Sequence, residues 1–214
     1  MTVFAITLVA NLSQVPFPVI LTSLQRTPAI RDGELWRLFT SLLVQDGGWV
    51  GTISNLTFLL LVGAVAERVL TRWLWLACYL GGGLTGQFVG LAWQPIGGGN
   101  SIAICGLAGA LAVVLLRGGA APPWTPAVVA WWCGALAGTI SFAAAVVGIA
   151  AAVATQVAGI AGGEAGRGNR TVGRVVGVAV LAFAAVLIGL RNVHGPPLLV
   201  GAGITLAAGQ WRGR

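Results

Sequence analysis

The composition of the chain indicates a membrane environment. Of its 214 residues, 57% are hydrophobic and 8% are charged, and the mean hydropathy is +0.91. A water-soluble domain of this length could not bury so much apolar side chain, so soluble classes are excluded. The net charge of +7 comes from arginines placed singly between apolar runs. That pattern is typical of loops facing lipid headgroups, and no nucleic-acid partner is expected.

Eight apolar runs approach the roughly 20 residues that a spanning helix needs. The sequence therefore predicts an all-α polytopic membrane protein with segments at about 3–24, 50–67, 73–93, 101–116, 125–145, 147–163, 172–190 and 195–210. The first run is interpreted as a retained transmembrane helix, because no basic region precedes it. The apolar block 126–163 is too long for one span, and we expect it to break near 145–148.

The arginines predict the orientation of the chain in the membrane. With the N-terminus in the cytoplasm, eight of the twelve arginines face the cytoplasm and four lie outside. This orientation puts Ser101 at the outer end of the fourth segment and His194 at the outer end of the eighth. We therefore expect Ser101 and His194, the only histidine of the chain, on the same face of a multi-pass protein. The expected location is a bacterial plasma membrane.

A glycine-rich run precedes Ser101 in the stretch GGGNSIAICGLAGA at 97–110. A serine where a flexible loop becomes a buried helix has two interpretations. It can cap the helix, since serine is among the preferred N-cap residues. It can also be a nucleophile shielded from water.

Other polar side chains lie in or beside the apolar segments. Trp36 and Arg37 occupy the long connection 25–49, and this pair suits a membrane interface. Asn55 lies inside the second segment, where an amide must be hydrogen-bonded, either to another helix or in a site. The three cysteines lie in apolar runs, and one histidine cannot build a metal site. No metal and no cofactor are expected.

Three ordered stretches of the chain resemble the rhomboid intramembrane serine proteases. They are ELWRLFT at 34–40, NLTFLLLVGAVAER at 55–68 and the glycine-rich run at 97–110. The resemblance implies a rhomboid-like six-helix core over 1–164, followed by a C-terminal extension over 165–214 with two further segments. It also implies that the partners are transmembrane segments of other proteins within the lipid bilayer.

The same resemblance implies roles for individual residues. Ser101 would be the nucleophile, and Asn55 with the backbone N–H of Ser101 would form the oxyanion hole. Gly99 and Asn100, in the loop before the serine, would help to position the substrate. Trp36 would belong to the interfacial loop around the site, together with the arginine that follows it.

The chain departs from the family pattern at three positions. Gly51 stands where the family's HxxxN motif has histidine, and Ile102 replaces the second glycine of GxSG. Gln156 begins QVAGIAGG, at the position of the catalytic histidine, and glutamine cannot act as a general base near neutral pH. His194, which begins HGPPLLVG, is the remaining candidate for the base.

Two functions from different classes therefore stay open. One is an intramembrane serine endopeptidase that uses Ser101 and His194. The other is a rhomboid-like pseudoprotease that binds transmembrane segments without cleaving them, with Gln156 in place of the base. A small transporter is a weaker alternative, because no acidic residue lies at the bilayer midplane and no inverted repeat is evident.

Overall fold

A computed structural model of the chain describes residues 2–161 and 167–209. Within those ranges the helices, in chain order, are α1 (Thr2–Gln14), α2 (Val19–Leu24), a 3-10 helix (Pro28–Asp32), α3 (Arg37–Thr40), α4 (Gly48–Val69), α5 (Arg72–Trp93), α6 (Ser101–Leu116), α7 (Thr125–Ala137), α8 (Phe142–Ala161), α9 (Arg167–Gly189) and α10 (Gly195–Ala208). The predicted all-α class is confirmed. The predicted boundary between residues 164 and 165 lies outside the described residues.

Several of these helices are apolar enough for a bilayer. In the described ranges, three are also long enough to cross one by length and composition: Gly48–Val69, Arg72–Trp93 and Arg170–Gly189. The shorter apolar helices are Thr2–Gln14, Ser101–Leu116, Thr125–Ala137, Phe142–Ala158 and Gly195–Ala208.

The first predicted segment is not one continuous helix. The prediction of a single helix over 3–24 was wrong, because α1 ends at Gln14 and α2 begins at Val19. Pro16 and Pro18 lie in the gap. Proline lacks the backbone N–H of the helical ladder and its ring clashes with the preceding turn, so two prolines in close succession end the helix.

The break in the long apolar block lies earlier than predicted. Helix α7 ends at Ala137 and α8 begins at Phe142, whereas the break was expected near 145–148. The hydroxyl of Ser141 accepts a hydrogen bond from the backbone N–H of Ala144 at 3.1 Å, as an N-cap does. Gly148 is a packing position instead, because a Cβ there would lie 2.8 Å from the Cα of Gly134 on α7. The two helices therefore form a tight antiparallel hairpin.

Helix α6 is the centre of the bundle. Every residue of α6 from Ile102 to Leu115 is buried. It packs against α5 on one side and against α10 on another. Both contacts use glycine, which lets helix backbones approach closely: Gly82 of α5 meets Gly106, and Gly201 of α10 meets Gly106 as well.

The last helix thus belongs to the core rather than to its edge. Helix α10 contacts both α5 and α6, and a Cβ at Gly109 would overlap the carbonyl oxygen of Leu198. Ser101 is the first residue of α6 and His194 directly precedes α10. Packing of the two helices therefore brings these residues to the same end of the bundle.

Candidate active site

The glycine-rich loop before α6 is held in place by two neighbouring segments. Arg26 and Gly97 exchange backbone hydrogen bonds of 2.8 and 3.1 Å, as in a short antiparallel bridge. The backbone N–H of Gly98 donates to a carboxylate oxygen of Asp46 at 2.9 Å, and its carbonyl accepts from the N–H of Asp46 at 3.1 Å. These bonds fix the loop that leads into Ser101.

The side chains of Ser101 and His194 are in direct contact. His194 Nε2 lies 2.9 Å from Ser101 Oγ, although the residues are 93 positions apart. Asn100, not Ser101, occupies the N-cap position of α6. The serine hydroxyl therefore faces the imidazole, and both side chains are only partly buried.

A third side chain, that of Asn192, contacts His194. The Oδ1 atom of Asn192 lies 3.0 Å from the backbone N of His194 and 2.7 Å from its Nδ1. A backbone N–H can only donate, so the atom it meets is the acceptor oxygen of the amide. The ring nitrogen that meets the same oxygen must then carry a proton. Nε2 is left with its lone pair directed at the Ser101 hydroxyl.

The surroundings of His194 favour its neutral form. The residue lies in the connection between α9 and α10. Burial, and secondarily the positive charge of Arg26, lower the pKa of His194 to about 4. The imidazole is therefore neutral near pH 7, which is the form that can accept a proton.

Ser101 and His194 open onto a small polar cavity of about 100 Å³. Arg26, which is 4% exposed, also lines it. Its guanidinium donates to Gln87 Oε1 at 2.6 Å and to the backbone carbonyl of Gln94 at 2.7 and 3.1 Å. The serine thus faces polar groups at an end of an otherwise apolar bundle.

Asn55 lies beside the glycine-rich loop but is not among the residues that line the cavity. Its Nδ2 donates to Gln45 Oε1 at 2.8 Å. A Cβ at Gly99, two residues before Ser101, would lie 2.5 Å from that oxygen and 3.4 Å from Asn55 Nδ2. Glycine is required here by the close approach of two amides, and the contact places Asn55 beside the loop.

Gln45 also lies against Gly51, the position where the family pattern has histidine. A Cβ at Gly51 would lie 2.6 Å from Gln45 Nε2, so the glutamine amide fills the space into which a side chain at 51 would extend. Sequence reasoning missed Gln45. Its signal was weak, because a glutamine in a polar connection has no distinguishing pattern.

Two further predicted site residues, Asn100 and Gln156, also do not line the cavity beside Ser101. Asn100 is buried beside Tyr79 of α5 and does not line the cavity. Gln156 lies exposed on α8, where it accepts a hydrogen bond from Trp131 Nε1 at 3.0 Å. It belongs to a different cavity, with Trp124 among its lining residues. The side chain that contacts Ser101 is therefore that of His194, not that of Gln156.

The Trp–Arg pair lies in the connection between α2 and α4. Arg37 donates to the carbonyls of Thr22 and Gln25, each at 3.0 Å, and pairs with Glu34. It thus ties the connection to the end of α2. Trp36 is 53% exposed, as an indole at a membrane interface would be.

Asn192 is the other residue that sequence reasoning missed. It lies two positions before the only histidine, in the short polar stretch RNVH between two apolar runs. An amide so close to the candidate base is a signal that could have been used. Its partners, however, depend on a turn that the sequence pattern did not specify.

An apolar helical bundle that holds a serine–histidine pair and an asparagine amide at one end defines a membrane protein with a candidate hydrolytic centre. The sequence model of the Rhomboid domain matches residues 32–165. The chain belongs to the rhomboid family and is an integral membrane protein. The matched region includes Asn55 and Ser101, whereas His194 follows it. Comparison with curated proteins and with solved structures gives no match.

Proposed function

We propose that the protein is an intramembrane serine endopeptidase that cleaves transmembrane segments of other proteins. The observation that carries this proposal is the 2.9 Å contact between His194 Nε2 and Ser101 Oγ. A nucleophile and a base within hydrogen-bond reach, with the base oriented by a third group, is the arrangement that activates a serine.

The proposed reaction uses the pair in both directions. Ser101 Oγ attacks the scissile carbonyl while His194 Nε2 takes the hydroxyl proton. His194 then gives this proton to the leaving amine as the C–N bond breaks and an acyl-enzyme forms. In the second half a water attacks the ester, again with His194 as base, and Ser101 is released.

The negative charge on the carbonyl oxygen needs donors close to Ser101. The backbone N–H of Ser101 is one, because the first N–H groups of a helix have no partner within it. The Asn55 amide is the proposed second donor, because its Nδ2 lies beside Gly99 in the loop before Ser101 and carries a second N–H besides the one donated to Gln45. Donors placed in advance where charge develops stabilise the transition state.

The proposed substrate class follows from the environment of the site. The site lies at one end of a bundle with many exposed apolar side chains, so a substrate within the bilayer reaches it without crossing a polar domain. In the proposed orientation, with a cytoplasmic N-terminus in a bacterial plasma membrane, the cavity opens at the outer face.

A cleavage assay in proteoliposomes tests the proposal. The protein is reconstituted with a fluorogenic transmembrane substrate, as wild type, Ser101→Ala, His194→Ala and Gln156→Ala. Wild type should cleave, and both site variants should lose about 10⁴-fold or more in kcat. Gln156→Ala is the matched control and should retain wild-type turnover, because Gln156 lies outside the cavity.

The opposite results are equally specific. A wild type that does not cleave, while Gln156→His does, would identify the protein as a pseudoprotease whose base position is on α8. Turnover that survives in His194→Ala would contradict the assignment of the base.

A further inference from the structure

We propose that Asn192 is a positioning residue, which holds His194 in the tautomer that accepts the proton of Ser101 and so completes a Ser–His–Asn triad. This inference rests on the proposed function of the serine–histidine pair. It concerns a residue beyond the region matched by the Rhomboid domain.

The first support is the double contact with one oxygen. Asn192 Oδ1 accepts from the backbone N–H of His194 at 3.0 Å and meets its Nδ1 at 2.7 Å. The backbone contact decides which end of the amide faces the histidine. Without this oxygen, either ring nitrogen could carry the proton, and a proton on Nε2 would prevent it from acting as a base.

The second support is that Asn192 itself is held firmly. Its side chain is buried, and its Nδ2 donates to Thr139 Oγ1 at 2.9 Å. Thr139 Oγ1 in turn donates to the carbonyl of Leu136 at 2.7 Å. The chain of hydrogen bonds therefore runs from the end of α7 through Asn192 and His194 to Ser101. An orienting group must be fixed by its own partners to fix another side chain.

The third support is the backbone conformation next to Asn192. Arg191 has φ 53°, and within the described ranges every other residue with positive φ is a glycine. The N–H of Asn192 donates to the carbonyl of Leu187 at 2.8 Å, and that of Arg191 donates to Ile188 at 2.9 Å. These two bonds form a Schellman turn, in which glycine is the usual residue at the position of Arg191. An unfavourable conformation retained beside a site indicates that the surroundings require it.

The side chain of Asn192 is a neutral amide, and this affects the pH at which His194 takes up a proton. An aspartate at 192 would favour the imidazolium form through its charge, whereas the amide orients the ring without adding a charge. The charged groups that line the cavity with His194 are Arg26 and Asp46. Asn192→Asp should therefore raise the pH at which His194 takes up a proton, and the acidic limb of the activity profile should move up with it.

The test uses the fact that the chain contains one histidine. In protein labelled with ¹⁵N-histidine, the two imidazole nitrogens report the tautomer directly and without catalysis. Wild type at pH 7 should show a protonated Nδ1 and an unprotonated Nε2. Asn192→Ala should show a mixture of tautomers, and its kcat should fall about 10²- to 10⁴-fold with little change in KM.

Two further variants keep the test decisive. Thr139→Val removes the partner of Asn192 Nδ2 and should shift the tautomer in the same direction to a smaller extent, whereas Thr139→Ser should restore the wild-type spectrum. If Asn192→Ala does not fold, the Thr139 pair gives the answer.

The inference is overturned if Asn192→Ala, or Thr139→Val where the former does not fold, keeps the wild-type tautomer and the wild-type kcat. Its failure is distinguishable from that of the proposed function. A wild type that never cleaves but shows the predicted tautomer would refute the endopeptidase and leave the positioning role of Asn192 supported. A wild type that cleaves with the proton on Nε2 would refute the positioning role alone.

Discussion

The backbone carbonyl of Gly106 occupies the space where a Cβ at Gly201 would lie. This contact joins α6 to α10 near the middle of both helices. It also sets the separation of the two helix ends that carry Ser101 and His194. The geometry of the site is therefore coupled to a glycine contact that lies one to two helical turns away from Ser101 on α6 and from His194 on α10.

We expect Gly201→Ala to disable the site without removing any polar group. The added methyl must force α10 away from α6, which lengthens the contact between Ser101 and His194 and lowers kcat by at least about 10², the loss that a displacement of 1 Å can cause. Gly203→Ala is the matched control, since a Cβ at Gly203 meets nothing within 4 Å. Equal turnover in the two variants would contradict the proposed coupling. The measurement is substrate cleavage, alongside thermal unfolding in detergent.

The activity should persist at unusually low pH. The pKa of His194 is lowered to about 4, so the imidazole stays neutral and able to accept a proton below the ordinary histidine range. The acidic limb of kcat/KM should therefore lie nearer pH 4 than pH 6.5. An acidic limb at pH 6.5 or above in the wild type would show that burial and Arg26 do not act on His194 as inferred.

The lowered pKa of His194 also makes the stability of the folded protein depend on pH. Between about pH 6.5 and 4 the unfolded chain binds a proton at His194 and the folded chain does not, so the stability falls as the pH falls through this window. His194→Asn should flatten this dependence. The measurement is the midpoint of unfolding from pH 4 to 8 for both proteins. A wild-type curve that remains parallel to that of the variant would contradict the prediction.

Removal of the Asn55 amide should slow the chemical step. If it donates to the oxyanion, Asn55→Ala should lower kcat about 10²- to 10³-fold, the usual loss for one such donor. Gln45→Ala should have a smaller effect, because it keeps the Asn55 amide and removes only the acceptor of one of its hydrogen bonds. Gln45→Glu keeps an acceptor for Asn55 and should remain close to wild type. Turnover in Asn55→Ala within threefold of wild type would exclude Asn55 from the oxyanion hole.

Two substitutions at Arg191 test whether its left-handed backbone conformation matters for the site. Arg191→Gly should retain turnover, since glycine adopts positive φ without steric cost. Arg191→Val should lower the unfolding midpoint and turnover together, because a β-branched residue is strongly disfavoured there. The exposed side chain of Arg191 makes loss of its charge a minor effect, and Arg191→Gly controls for it. If both variants behaved alike, the turn would not be what positions Asn192.

The elements and the candidate nucleophile could be predicted from the sequence, because hydropathy and a glycine-rich loop before an apolar run are local signals. The shared face of Ser101 and His194 followed from counting spans. Their contact did not, since it depends on which faces of α6 and α10 meet. The glycines at that crossing look like any other small residues in a membrane helix.

The errors and omissions each have a physical cause in the packing of the helices and their connections. The helix break was expected near 145–148, but Gly148 is where α8 packs against Gly134 of α7. Gln156 was considered for the base position because it fits a family spacing, yet it lines a different cavity from the one beside Ser101. Asn192 and Gln45 were missed because their contacts with His194 and Asn55 depend on how the connections between helices fold. A sequence pattern specifies such partners only once the helices have been packed.

Phosphonylation by a fluorophosphonate tests most directly whether His194 activates Ser101. In this reaction the Ser101 Oγ–phosphorus bond forms, fluoride leaves, and the hydroxyl proton passes to His194, so no protein substrate is needed. Wild type should be labelled on Ser101, as located by mass spectrometry of its peptides, at least about 10²-fold faster than His194→Ala, within the 10²- to 10⁴-fold range of general-base assistance. Equal labelling rates in the two proteins, or no label on Ser101 of the wild type, would contradict the activation of Ser101 by His194.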